Sequence, residues 1–125
     1  MHSHATLRFA ELSRRSDREI DVAEGALWIA AEQYPDLDVD LYLARLDAVA
    51  DTIRPQVARG STPLERVELF NQAFFEVEGF SGNQAAFDDP RNSFLNEVID
   101  RRTGIPITLA IVYVEVARRV GLRAS

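Results

Sequence analysis

The sequence predicts an all-α fold, a compact bundle of five to six helices in one domain spanning residues 1–125. Three observations predict it: apolar residues recur at helical period in several segments, two segments have the spacing of a capping box, and proline or glycine punctuates the ends of the stripes. The composition agrees with a folded domain, since 46% of residues are hydrophobic and 27% charged.

The elements follow in order. Leu7, Ala10 and Leu12 suggest a weak first helix, with residues 1–15 as a frayed lead-in. Ser16-Asp17-Arg18-Glu19 then starts a helix as a capping box, in which the hydroxyl accepts from a backbone N–H and the glutamate reaches back. Its stripe is Ile20, Ala23, Leu27, Ala30 and Tyr34, and Pro35 ends it by disfavouring α geometry in the residue before. Asp38 caps the next helix, whose stripe of Tyr42, Leu43, Leu46, Val49, Ala50, Ile53 and Val57 is the clearest amphipathic pattern in the chain. Pro55 predicts a kink or a stop near Ile53, because proline in an ideal helix interior costs about 3 kcal/mol.

Thr62-Pro63-Leu64-Glu65 opens another helix, with proline where its missing N–H costs nothing. Its expected buried stripe is Leu64, Val67, Phe70 or Leu69, Phe74 and Val77. From Gly79 to Asp89 the periodicity disappears, so this is a long connection with its own geometry. Asp89-Pro90 opens a short helix with Phe94, Leu95, Val98 and Ile99 inward, closed by Arg101-Arg102-Thr103-Gly104 with cations at the negative end of the dipole and a glycine stop. The run from Pro106 to Ala117 has the β-branched content of a strand, but its length, its early proline, Arg118-Arg119 and Gly121 favour a helix. Being apolar on nearly all sides, that helix is expected to be buried.

Composition excludes several functions. The net charge of −6 opposes a phosphate backbone, so no nucleic-acid partner is expected. No stretch is apolar for long enough to span a bilayer and no h-region opens the chain, so the reading is a cytoplasmic protein without a membrane partner. All 14 basic residues are arginine, which removes lysine Schiff-base chemistry. With no cysteine there is no disulfide, no thiolate metal site and no sulfur nucleophile.

Four blocks carry a resemblance. They are Glu78-Gly79-Phe80-Ser81-Gly82-Asn83, Asp89-Pro90-Arg91-Asn92-Ser93-Phe94-Leu95-Asn96, Arg101 to Leu109, and Tyr113 with Val116 to Leu122. In order and spacing they resemble the SirB-type branch of the transglutaminase-like superfamily, best over residues 78–122. The resemblance implies the helical half of a papain-like domain without its β-sheet, with the superfamily's catalytic His and Asp expected beyond Ser125. It also places the enzymes' cysteine near Pro106 to Thr108, where only Thr108 has a heteroatom nucleophile. A threonine hydroxyl needs an adjacent base, and the only histidines are His2 and His4. The expectation is therefore a noncatalytic module acting through protein interaction in a regulatory role. The alternative is the N-terminal part of a hydrolase or transferase.

Other candidates have simpler explanations. His2-Ser3-His4 lacks a third metal ligand, so no metal and no cofactor is expected. Asp88, Asp89 and Glu97 could pair for acid–base work, but Asp89 before proline is better explained as a cap. Arg101 and Arg102 could clamp an anion, although compensation of a helix C-terminus explains them better. Asn92 and Asn96, beside Ser93, are expected to fasten the loop from Gly79 to Asp89, with Asn92 a binding candidate. The apolar C-terminal helix is the expected surface for self-association or a partner protein.

Overall fold

The computed structural model describes residues 21–82 and 88–122. Five α-helices make up most of it: α1 (Val22–Gln33), α2 (Val39–Val57), α3 (Pro63–Gln72), α4 (Leu95–Arg101) and α5 (Pro106–Arg119). A π-helical turn, Ala73–Val77, continues α3, and a 3-10 turn, Pro90–Ser93, precedes α4. The fold is thus all-α, as expected, with one addition. Ser81–Gly82 (β1) and Thr103–Gly104 (β2) form a two-residue parallel pair, with Ser81 opposite Thr103 and Gly82 opposite Gly104.

Local chemistry sets the helix ends. The Asp21 side chain accepts from the Glu24 N–H at 3.0 Å and caps α1. The expected start at Ser16, with Ile20 and the weak helix before it, lies outside the described residues. Tyr34 ends α1 beside Pro35, and Asp38 caps α2 through the Leu41 N–H, both as the sequence predicts. Thr62 caps α3 through the Glu65 N–H at 3.1 Å, while Glu65 reaches back to the Ser61 N–H at 2.8 Å, one residue earlier than an ideal capping box.

The stop expected near Ile53 does not occur. Helix α2 runs through Pro55 to Val57, because the proline falls in the last turn and only one carbonyl, on an exposed face, loses its helical donor. Leu46, Val49, Ala50, Ile53 and Val57 are buried as predicted. The α3 stripe is narrower than predicted. Phe70 and Phe74 are fully buried, but Leu64 is 68% exposed and Val77 59% exposed. Ala73–Val77 winds as a π-turn, whose wider spacing lets Phe74 stack on Phe80 with centroids 4.5 Å apart and leaves Phe75 and Val77 outside.

The predicted helix opened by Asp89-Pro90 divides in two. Phe94 is extended (φ −108°, ψ 123°) between the 3-10 turn and α4, because the Asn92 carbonyl accepts from Thr108 instead of a helical N–H. Leu95, Val98 and Ile99 nevertheless face the core. The glycine stop expected at Gly104 is not the cap: Arg102, left-handed at φ +59°, ends α4. Gly104 serves a different need. A Cβ there would lie 2.7 Å from Thr108 Oγ1 and 3.0 Å from both Val98 methyls.

Helix α5 forms where predicted and ends at Gly121, φ +89°, as a Schellman turn with Leu122 N–H on Ala117 O and Gly121 N–H on Arg118 O. It is not buried all round. Val112, Val116 and Ala117 face α1, α2 and α4, whereas Ile107 is 66% exposed and Val114 40% exposed, since no described element covers that side. Glu115, buried in the same helix, accepts from Arg118 (2.8 Å) and Arg119 (3.3 Å), and Arg119 also donates to Asp47 of α2 at 2.7 Å.

Gly104→Ala is expected to lower stability by about 1–3 kcal/mol, because the neighbours are a backbone-anchored hydroxyl and a packed valine. Gly82→Ala, with nothing within 4 Å of a new Cβ, should stay within about 0.5 kcal/mol of the parent in the same urea melt.

Candidate functional site

Two of the residues singled out in the sequence, Thr108 and Asn92, meet where the 3-10 turn, β2 and the start of α5 come together. Thr108 is the third residue of α5, so its side chain lies over the helix N-terminus. Its hydroxyl accepts from the Ile105 N–H at 3.2 Å and donates to the Asn92 carbonyl at 2.7 Å. The side chain is 5% exposed. One donor and one acceptor lone pair are thus already engaged, and no histidine lies among the described residues. In this arrangement the hydroxyl closes the N-terminal end of α5 and holds the 3-10 turn against it.

Asn92 is fully buried, and its N–H closes the turn onto the Asp89 carbonyl at 3.0 Å. This ties the 3-10 turn together, while residues 83–87 of the connection that Asn92 and Asn96 were expected to fasten lie outside the described residues. Asn96 lines a groove beside Tyr34 and Tyr42, and its Oδ1 has no hydrogen-bond partner among the described residues.

Asp89 caps the 3-10 turn through the Arg91 N–H at 2.9 Å and holds the Arg91 guanidinium at 2.7 Å. Arg101 approaches the same carboxylate at 3.8 Å. The Arg91 side-chain and backbone hydrogen bonds together hold the Asp89 carboxyl down at about 2, outweighing its partial desolvation. Glu97 is engaged elsewhere, accepting from the Tyr34 hydroxyl at 3.0 Å, and burial followed by that bond pushes the Tyr34 phenol above its usual value. Asp89 and Glu97 therefore serve separate partners and do not form an acid–base pair.

Arg102 turns away from Arg101. Its guanidinium lies 4.7 Å over the Phe80 ring and 3.4 Å from Glu78, at one wall of a groove of about 320 Å³ that also holds Arg45 and Asp100. The two arginines do not converge on one anion, and each compensates a carboxylate. Sequence reasoning missed Glu78 and Phe80 as partners of Arg102, because a separation of more than twenty positions leaves no local signal. Among the described residues no group of three His, Cys, Asp or Glu side chains could hold a metal ion. None of the described helices is long and apolar enough to cross a membrane.

Carbon-detected NMR titration should place the Asp89 midpoint near 2 and, in Arg91→Ala, move it up toward the 3.8 of an ordinary aspartate. Because the folded-state value is depressed, the stabilisation by Asp89 is present in full above pH 3.8 and is lost as the pH falls through about 2.

Comparison with known proteins gives the family of the chain. The chain is 39% identical to a UPF0162 protein of Xylella fastidiosa over 111 residues, 89% of this chain and 40% of that protein. A UPF0162 protein of Vibrio cholerae is 30% identical over 105 residues, 82% of this chain and 38% of that protein. A shorter stretch of 56 residues, 45% of this chain, is 32% identical to F-box only protein 21 of Mus musculus and covers 9% of it. The chain thus spans about two fifths of the length of the bacterial relatives it matches. No solved structure matches it significantly. The model of the transglutaminase-like superfamily matches residues 40–125, from the first turn of α2 onward, and the chain belongs to that superfamily.

Proposed function

We propose that this chain is a noncatalytic, regulatory member of the SirB-type branch, a cytoplasmic helical module that acts through protein interaction along α5. One observation carries the reading. Val22, Ile107, Ala110, Ile111 and Val114, with the ion-paired Glu115 beside them, line an almost wholly apolar groove of about 280 Å³ on the outer side of α5, with Val22 54% exposed. On α5 the spacing i, i+3/i+4, i+7 is that of a strip that receives another element, and each large side chain is worth roughly 1.5–3 kcal/mol if fully buried. The engaged hydroxyl of Thr108 supports the noncatalytic part of the reading.

Size-exclusion chromatography with light scattering on the parent and on Ile107→Glu tests this. The parent should self-associate or capture a protein partner through this strip, and the charged variant should lose that association while keeping its helicity. A parent that stays monomeric at micromolar concentration, binds no apolar dye and captures no partner would sink the proposal.

A second reading is favoured by the length of the relatives and by the place of Thr108 in α5: the chain is the N-terminal part of a hydrolase or transferase whose His and Asp lie beyond Ser125. In the full reading frame that carries this domain, Thr108→Ala should then abolish amide or ester turnover and Thr108→Ser should retain it. Turnover unchanged in Thr108→Ala removes this reading.

A further inference from the structure

A second groove, of about 440 Å³, opens between the connection from α1 to α2 and the start of α4, on walls that share no residue with the α5 strip. It is lined by Tyr34, Asp36, Leu37, Leu41, Tyr42 and Asn96, with Asp38 at its rim. Asn96 is 5% exposed, and its Oδ1 is buried without a hydrogen-bond partner among the described residues. A buried carboxamide left unmet is destabilising, and an apolar side chain of the same shape would avoid that loss, so packing alone does not explain an asparagine there.

The neighbouring polar groups are already occupied. Tyr34 donates to Glu97, Tyr42 donates to Asp100, and Asp38 caps α2 through the Leu41 N–H. Arg45 lies 4.7 Å over the Tyr42 ring and is paired with Asp100. Three groups are left over. One is the buried Asn96 carboxamide, a donor and an acceptor side by side, and the others are exposed: the Gln33 carboxamide, and Asp36, which is in no ion pair among the described residues. The lining contains two carboxylates and no cation.

A peptide unit offers one N–H and one C=O, the complement of a carboxamide, and a basic side chain is the complement of Asp36. An anionic lipid or a nucleic acid would meet the wrong charge. We propose that this groove binds an extended basic segment of a partner protein. Asn96 pairs with one of its backbone amides, Leu37, Leu41 and the tyrosine rings take its aliphatic stems, and Asp36 takes a lysine or arginine head. The proposal rests on the interaction reading only for the source of the peptide.

The test is a titration of the ¹⁵N-labelled chain with an acetylated, amidated pentapeptide of alanines carrying two lysines, set against its glutamate counterpart. The lysine peptide should shift the Asn96 side-chain amide and the backbone amides of 36–41 saturably, in the millimolar range, and more weakly as salt rises. Asn96→Leu should stay folded and bind at least about tenfold more weakly, and Asp36→Asn, on the surface and without risk to the fold, several-fold more weakly. No saturable shift at Asn96 up to about 10 mM, equal shifts with the glutamate peptide, or undiminished binding by a folded Asn96→Leu would overturn the proposal. Association through Ile107 with no response here would overturn this groove and leave the α5 strip intact.

Discussion

The hydroxyl of Thr108 holds together more of this structure than any other single group. By accepting from Ile105 and donating to Asn92 it fixes where α5 begins, and it takes from the 3-10 turn the carbonyl that a continuous helix would need. The break at Phe94, the separation of the 3-10 turn from α4 and the approach of β2 to α5 follow from that one bond. It forms only because Gly104 has no side chain, since a methyl group there would overlap the same oxygen. The Thr108 hydroxyl is thus engaged in structure on both its donor and its acceptor side.

Helix α5 has two unlike sides. Inward, it brings a carboxylate, Glu115, into a nearly dry position and surrounds it with Arg118 and Arg119, while Arg119 reaches across to Asp47 and Arg54 donates to the Arg119 carbonyl. Arg119 fixes the lateral placement of α5 against α2, because its guanidinium donates to Asp47 while Arg54 donates to its carbonyl. Outward, the same helix presents aliphatic side chains to solvent. An element so firmly placed can hold an apolar strip in the open without collapsing onto it.

Much of the bundle was legible in the residues because its determinants are local. Asp38, Thr62 and Gly121 announced helix ends through short-range hydrogen bonds or a positive φ, and the α2 stripe named every buried residue of that helix except Val39, with Tyr42 and Leu43 only half-buried. Where the reading failed, the deciding contact was distant. Nothing in Ala73–Val77 signals a π-turn, whose register is set by Phe74 meeting Phe80. Gly104 looked like a helix stop, and its need becomes clear only when Thr108 is placed beside it. The surroundings of Arg102 and Asn96 depended on Phe80, Glu78 and the groove by Tyr34, which no spacing rule connects to them.

The pairing of β1 with β2 has a kinetic corollary. Two strands running in the same direction cannot be joined by a tight turn, so the short bridge from Ser81 to Thr103 closes a ring of chain that contains the 3-10 turn and α4. Ring closure loses entropy before its few hydrogen bonds return anything, whereas α2 and α3 are neighbours in sequence and nucleate on short-range contacts. By the same reasoning the ring closes after the turns of α2 and α3 have formed, and the start of α5, tied to it through Thr108 and Asn92, is settled with it.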